Sequence, residues 1–162
     1  LFISLAVSVV LIYLLLAFQF NSLGIPLVIL VSIPLGFVGL VLSLYFFQST
    51  LSLNSLLGAI LLSGIVVNNA IILIDFYRTS IGEYANRMDA LIETARIRFR
   101  PIVITTLTTI VGMLPIAIGF GEGSNVIQPL GIAVSGGLLV STTLTLFVVP
   151  AILSLVRLRT EN

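Results

Sequence analysis

The sequence predicts an all-α polytopic membrane protein with about five transmembrane helices, and three observations carry that prediction. Hydrophobic residues make up 59% of the 162 and charged residues only 8%, against roughly 25% charged in an average soluble domain. The first charged side chain is Asp75, so residues 1–74 carry no formal charge. Polar turn residues recur at intervals close to the ~20 apolar residues that a helix needs to cross a bilayer. In lipid every backbone polar group needs an internal partner, so apolar stretches of that length read as spanning helices.

The uncharged first part is too long for one crossing and divides into three. The first span covers about 1–19 and ends in a polar turn containing Gln19, Asn21, Ser22, Gly24 and Pro26. The second covers about 25–47, closed by Gln48, Ser49, Thr50, Ser52 and Asn54, and the third about 55–76. A charged stretch follows from Arg78 to Arg100. Within it, 83–98 reads as a short cytoplasmic surface helix, with Ala85, Met88, Ala90, Leu91, Ile92, Ala95 and Ile97 as a ragged apolar side among solvated charges. Pro101 stands where a helix can begin, because its missing N–H is one the first turn leaves unpaired anyway. The fourth span is therefore 101–119. The segment from Phe120 to Pro129, rich in small and polar residues and carrying Glu122, reads as a loop before a fifth span over 130–156. Pro34, Pro115 and Pro150 lie deep or late in their spans and predict kinks.

Orientation follows from arginine, because cytoplasmic loops retain basic residues. All seven, Arg78, Arg87, Arg96, Arg98, Arg100, Arg157 and Arg159, fall in two segments separated by two spans, hence on one side. That places the N-terminal end outside and the C-terminus in the cytoplasm; by the family resemblance given below, the outside is the periplasm. Leu1 lacks an initiator Met, a basic leader and a cleavage signal, and is read as a cut end. A net charge of +1 offers no basic surface beyond what topology demands, so no nucleic-acid partner is expected. Without cysteine or histidine, thiolate and imidazole metal sites and His-based acid/base catalysis have no residues to work with. The chain is not read as an enzyme.

The polar content of the spans is the informative remainder. Asn68 and Asn69 stand side by side in an aliphatic run, with Gly64, Asn68 and Asp75 on one helical face, so a neighbouring backbone is expected close to Gly64. Two readings of the amide pair are open. One is a polar cluster carrying ions or protons through the bundle; the other is interhelical glue worth about 0.6 kcal/mol per hydrogen bond. Asp75 reads as interfacial. In the fourth span Thr105, Thr108, Thr109 and Gly112 recur at helical spacing, with Arg98 seven residues before Thr105. The fifth span repeats the small-residue theme with Gly131, Ser135, Gly136, Gly137, Ser141, Thr142 and Thr145, where packing is expected.

Six strings occur in fixed order: Ala17-Phe18-Gln19-Phe20-Asn21-Ser22, Ile33-Pro34-Leu35-Gly36, Gly64-Ile65-Val66-Val67-Asn68-Asn69-Ala70-Ile71, Arg98-Phe99-Arg100-Pro101-Ile102, Gly112-Met113-Leu114-Pro115 and Phe147-Val148-Val149-Pro150. Together they resemble the last five membrane helices of resistance-nodulation-division (RND) transporters, particularly the hydrophobe/amphiphile efflux permeases of Gram-negative inner membranes. The resemblance covers essentially the whole chain, as a partial C-terminal transmembrane domain. It implies a secondary active transporter, a proton antiporter working as a homotrimer with a periplasmic adaptor and an outer-membrane channel, with protons as coupling ion and no other cofactor.

By the same resemblance, a pair of aspartates in the family's first half titrates during transport, and second-half groups surround it. Asn68 occupies the position where well-studied members carry a lysine. Asn69 matches the family asparagine beside it, Arg98 a relay arginine and Thr105 a relay threonine. The departure at Asn68 matters, because an asparagine supplies only neutral hydrogen bonds where a lysine switches charged partners. Two other functions stay open: a same-fold transporter of metal ion, lipid or polypeptide, and a non-transporting membrane sensor or scaffold. The Asn-Asn pair and the Arg-Phe-Arg-Pro-Ile string favour the amphiphile branch.

Overall fold

The computed structural model describes residues 2–84, 86–121 and 123–155. Among them the chain is helical throughout and without strands, in the order α1 (Phe2–Phe20), α2 (Gly24–Leu30), α3 (Ser32–Phe46), α4 (Leu53–Ser80), α5 (Arg87–Ile118) and α6 (Ser124–Leu155). Five stretches are long and apolar enough to cross a membrane, with α2 and α3 together making the second. Arg157, Arg159 and the end of the fifth span at Val156 lie outside the described residues, as do Ala85 and Glu122.

Each end has a local cause. Asn21 takes a left-handed φ of 46° after α1, a conformation asparagine tolerates better than most residues. The second span is interrupted at Val31, one turn before Pro34, which cannot donate to the Leu30 carbonyl and crowds it. Gln48 closes α3 at φ 49°, with the Ser49 N–H donating to the Leu44 carbonyl and the Gln48 N–H to that of Tyr45. Gly119 closes α5 in the same way at φ 82°, with Phe120 donating to the Pro115 carbonyl and Gly119 to that of Ile116. Both ends satisfy carbonyls a helix terminus would otherwise leave bare. At the start of α4, the Ser52 hydroxyl accepts from the Ser55 N–H.

Two sequence expectations are corrected. The stretch 83–98 is not a separate surface helix: Ile81–Glu83 forms a single 3-10 turn, and one helix then runs from Arg87 to Ile118 straight through Pro101. Proline removes one hydrogen bond there, but Leu91, Thr94, Ile102 and Thr106 form a single buried stripe at helical spacing on both sides of it. Packing of that stripe carries the helix past the break. At about 1.5 Å per residue its 32 residues span about 48 Å, longer than a hydrocarbon core of about 30 Å. The second correction concerns 120–129, whose latter part belongs to α6. That helix starts at Ser124, whose hydroxyl donates to the Gly119 carbonyl at 2.7 Å. Gln128 donates to the Ala117 carbonyl at 3.1 Å, and Asn54 donates to that of Val126.

The centre of the bundle is α6, which packs on α3, α4 and α5. Its contact with α3 depends on bare glycine: a Cβ on Gly39 would lie 2.6 Å from the Val140 Cβ, and one on Gly136 2.1 Å from the Ser43 Cβ. Ser43 bonds the Ile132 carbonyl at 3.2 Å across this contact. The small residues predicted to pack α6 do so: Gly131, Gly137, Ser141, Thr142 and Thr145 are buried. In contrast α1 buries only Leu16 and Phe20 among its described side chains, with Val9 and Ile12 partly packed beside them, and leaves Val7, Val10, Leu11, Leu14 and Phe18 exposed. Such a face belongs in lipid or against another protein segment.

Candidate functional site: a polar groove between α4 and α5

Midway along the bundle, α4 and α5 diverge to leave a groove of about 320 Å³ lined by Gly64, Ile65, Asn68, Asn69, Thr105, Thr106 and Thr109. Three of the site residues that the sequence suggests, Asn68, Asn69 and Thr105, share this groove. Arg98 is not part of the lining. It lies two turns before Thr105 on α5, about 10 Å along the axis, with its guanidinium 4.4 Å from the centroid of the Phe76 ring. Its Nε is buried without a hydrogen-bond partner. Asp75 is exposed near the same end of α4.

The two amides differ although they are adjacent. Asn69 is 3% exposed, whereas Asn68 is exposed on the open side. Helical geometry requires this, because consecutive residues point about 100° apart. Neither amide makes a side-chain hydrogen bond within the described chain, and both line the groove. The hydroxyls are occupied locally as donors. Thr105 donates to the Ile102 carbonyl at 2.9 Å and Thr109 to the Thr105 carbonyl at 2.8 Å. Thr106 is paired with Thr142 of α6 at 2.9 Å. Each hydroxyl oxygen nevertheless keeps acceptor capacity. The groove therefore offers amide N–H donors together with amide and hydroxyl acceptors, with no charge of its own.

Such a surface can serve a carboxyl group in either protonation state. A carboxylate takes N–H donors from the asparagines, and a carboxylic acid donates its proton to an amide or hydroxyl oxygen. Gly64 lies at the rim, and a Cβ there would meet nothing within 4 Å. The close backbone expected beside it is thus not found among the described residues. Thr108, named with Thr105 in the sequence, is exposed outside the lining and donates to the Ile104 carbonyl at 2.8 Å. Thr106 was not singled out, because its partner Thr142 lies 36 residues away in a different span.

The chain matches the family model described as AcrB/AcrD/AcrF over residues 1–157. It belongs to the AcrB/AcrD/AcrF family of RND permeases. Among relatives, it is 42% identical over 142 residues to the multidrug resistance protein MdtC of Edwardsiella ictaluri (strain 93-146), covering 87% of this chain and 14% of that protein. It is 41% identical over 146 residues to the swarming motility protein SwrC of Bacillus subtilis (strain 168), covering 90% and 14%. In three dimensions it is similar to the crystal structure of a heavy metal efflux pump, with a TM-score of 0.81 and 34% identity over 93% of this chain and 15% of that one. This member of the AcrB/AcrD/AcrF family thus spans about one seventh of the length of the relatives it matches. Like them it is a multi-pass membrane protein of a transporter family.

Proposed function

We propose that this chain supplies the second-half helices around the proton relay of an inner-membrane, proton-driven efflux permease for multiple amphiphilic drugs. The observation that carries the reading is the uncharged groove that brings Asn68, Asn69 and Thr105 together. Polar groups at mid-span are expensive in lipid and are kept where they face a partner or an ion path. The partner that matches this lining is a carboxyl group on helices outside the chain. When it is ionised, the Asn68 and Asn69 amides donate to it. When it is protonated, the acid donates to an amide oxygen or to Thr105, whose own proton is held on the Ile102 carbonyl. The difference between the two bonding patterns is what a transport cycle can exploit.

Because Asn68 and Asn69 are neutral, the exchange moves hydrogen bonds rather than an ion pair. Arg98, stacked on Phe76 two turns away, supplies a fixed positive field at the end of the path. In the assembled permease this chain is expected in a homotrimer, with a periplasmic adaptor and an outer-membrane channel, and with its N-terminal end periplasmic. Lipid contacts the outer faces. A multidrug cargo is favoured by the 42% identity to an MdtC multidrug resistance protein. A metal cargo is the second reading, favoured by the similarity to a heavy metal efflux pump.

The test is a susceptibility comparison in a strain relying on the full-length permease. Asn69→Leu, which keeps bulk and removes the amide, should abolish protection against amphiphilic drugs at equal membrane expression. Retained protection would refute the relay role of the groove. Protection against metal salts but not drugs would select the second reading.

A further inference from the structure

Along its length α5 packs far more extensively on α6 than on α4, so its placement beside the groove is set from the α6 side. Among the described residues Thr106 is the last buried side chain along α5. Its hydroxyl lies 2.9 Å from that of Thr142 on α6, and each residue is 5% exposed. Neither makes another side-chain hydrogen bond among the described residues.

Two features give this bond more weight than packing glue. Thr106 lines the groove and also, with Thr142, a separate cavity of about 220 Å³ between α5 and α6. Apart from threonines, that cavity is walled by apolar side chains, Val103, Leu107, Leu139 and Leu146 among them. A gap of this kind forfeits dispersion contacts that would otherwise lock the rotation of one helix against the other. A hydrogen bond, which weakens steeply away from its preferred distance and angle, is left to fix that rotation. The surroundings also offer the pair no substitute. Thr143, the third hydroxyl of the cavity, donates to the Leu139 carbonyl at 2.9 Å, and in an apolar setting a broken pair leaves its members stranded.

The consequence falls on Thr105. Consecutive helical residues point about 100° apart, so seating Thr106 on α6 turns Thr105 to the side where it and Thr109 line the groove. The Thr105 proton is held on the Ile102 carbonyl, and the rotation of α5 therefore decides where the acceptor oxygen is aimed. A β-branched side chain is stiff and follows its backbone closely.

We propose that Thr142 is a positioning residue for the relay: by bonding Thr106 it fixes the rotation of α5 and thereby aims the Thr105 oxygen into the groove. The inference rests on the relay reading of that groove. Thr142 is outside the groove lining and acts through Thr105.

The experiment measures drug efflux from cells carrying the full-length permease at equal membrane expression, as a maximal rate and a half-saturating drug concentration. Thr142→Val keeps the shape and removes the hydroxyl. It should lower the maximal rate about fivefold, the scale of one hydrogen bond, and leave half-saturation unchanged. Thr142→Ser should restore the rate, and Thr143→Val, which alters the same cavity without touching the bond, should match the parent. In a Thr105→Ala background Thr142→Val should have no further effect, because effects that act through one another do not add. Should Thr142→Val fail to fold with the Thr106 hydroxyl unpaired, Thr106→Val combined with Thr142→Val strands neither group and should show the same fivefold loss. A parent-like rate in that pair or in Thr142→Val, an equal loss in Thr143→Val, or losses that multiply with Thr105→Ala would overturn the positioning role and leave the relay reading standing. A parent-like rate in Thr105→Ala would instead remove Thr105 from the relay, and the positioning role with it.

Discussion

Asn68 and Asn69 are chemically identical and adjacent, so their different surroundings separate burial from function. Asn69 is nearly enclosed, and its side chain makes no hydrogen bond among the described residues. Replacing it with Leu should therefore leave the unfolding temperature unchanged or slightly raised while transport is lost, since a satisfied structural amide would instead cost about 1 kcal/mol or more on removal. Thermal unfolding beside a drug-accumulation assay decides between the two. Thr105→Ala should lower the transport rate by about tenfold, equivalent to about 1.4 kcal/mol, and Thr105→Ser should restore it by returning the hydroxyl. Unchanged drug susceptibility in Thr105→Ala at equal expression would remove that residue from the relay without touching the family assignment. The Glu93–Arg96 pair, 3.9 Å apart with Arg96 81% exposed, belongs to the solvated face where such pairs contribute little.

The helices pack by two different devices, and substitutions at glycine separate them. At the α3–α6 crossing, Gly39→Val would drive a side chain into Val140 and the Gly137 backbone, 2.6 and 3.0 Å from the new Cβ. Overpacking of this kind costs about 1–3 kcal/mol, so the yield of folded protein in detergent should fall. At Gly64 nothing among the described residues lies within 4 Å of a new Cβ. Gly64→Leu should consequently leave the bundle folded and still reduce transport, because it fills the groove and the space a neighbouring helix would use. Equal damage to yield from both substitutions would contradict the division. The long α5 illustrates how packing overrides a local break: Pro101 sits inside a helix because the buried stripe on either side outweighs the single hydrogen bond it removes.

At the scale of the whole molecule, orientation is open to a direct check, because the sequence contains no cysteine. Single cysteines at Thr50 and Asn125, both exposed at the same end of the bundle, should react with an impermeant maleimide applied outside. One at Asn86 should not. Ser124 is less suitable than its neighbour, being 7% exposed and bonded to Gly119. The reverse labelling pattern would invert the arginine argument. The bundle itself is lopsided: α6 packs on three long neighbours, whereas α1 contributes few buried side chains and leaves much of its apolar surface exposed.

How much of this was legible beforehand depends on the range of the forces involved. Hydrophobic length and uncharged composition are local properties, and they determined the helical membrane class and the number of crossings. Pro34 announced its break, and the family resemblance pointed to Asn68, Asn69 and Thr105. The sequence did not reveal that α5 runs through Pro101 or that Thr106 pairs with Thr142. Those outcomes rest on contacts between residues far apart in the chain. Periodicity says which face of a helix is apolar, but only tertiary packing decides what that face meets, which hydroxyl is left without a bond, and where two helices part widely enough to leave a groove.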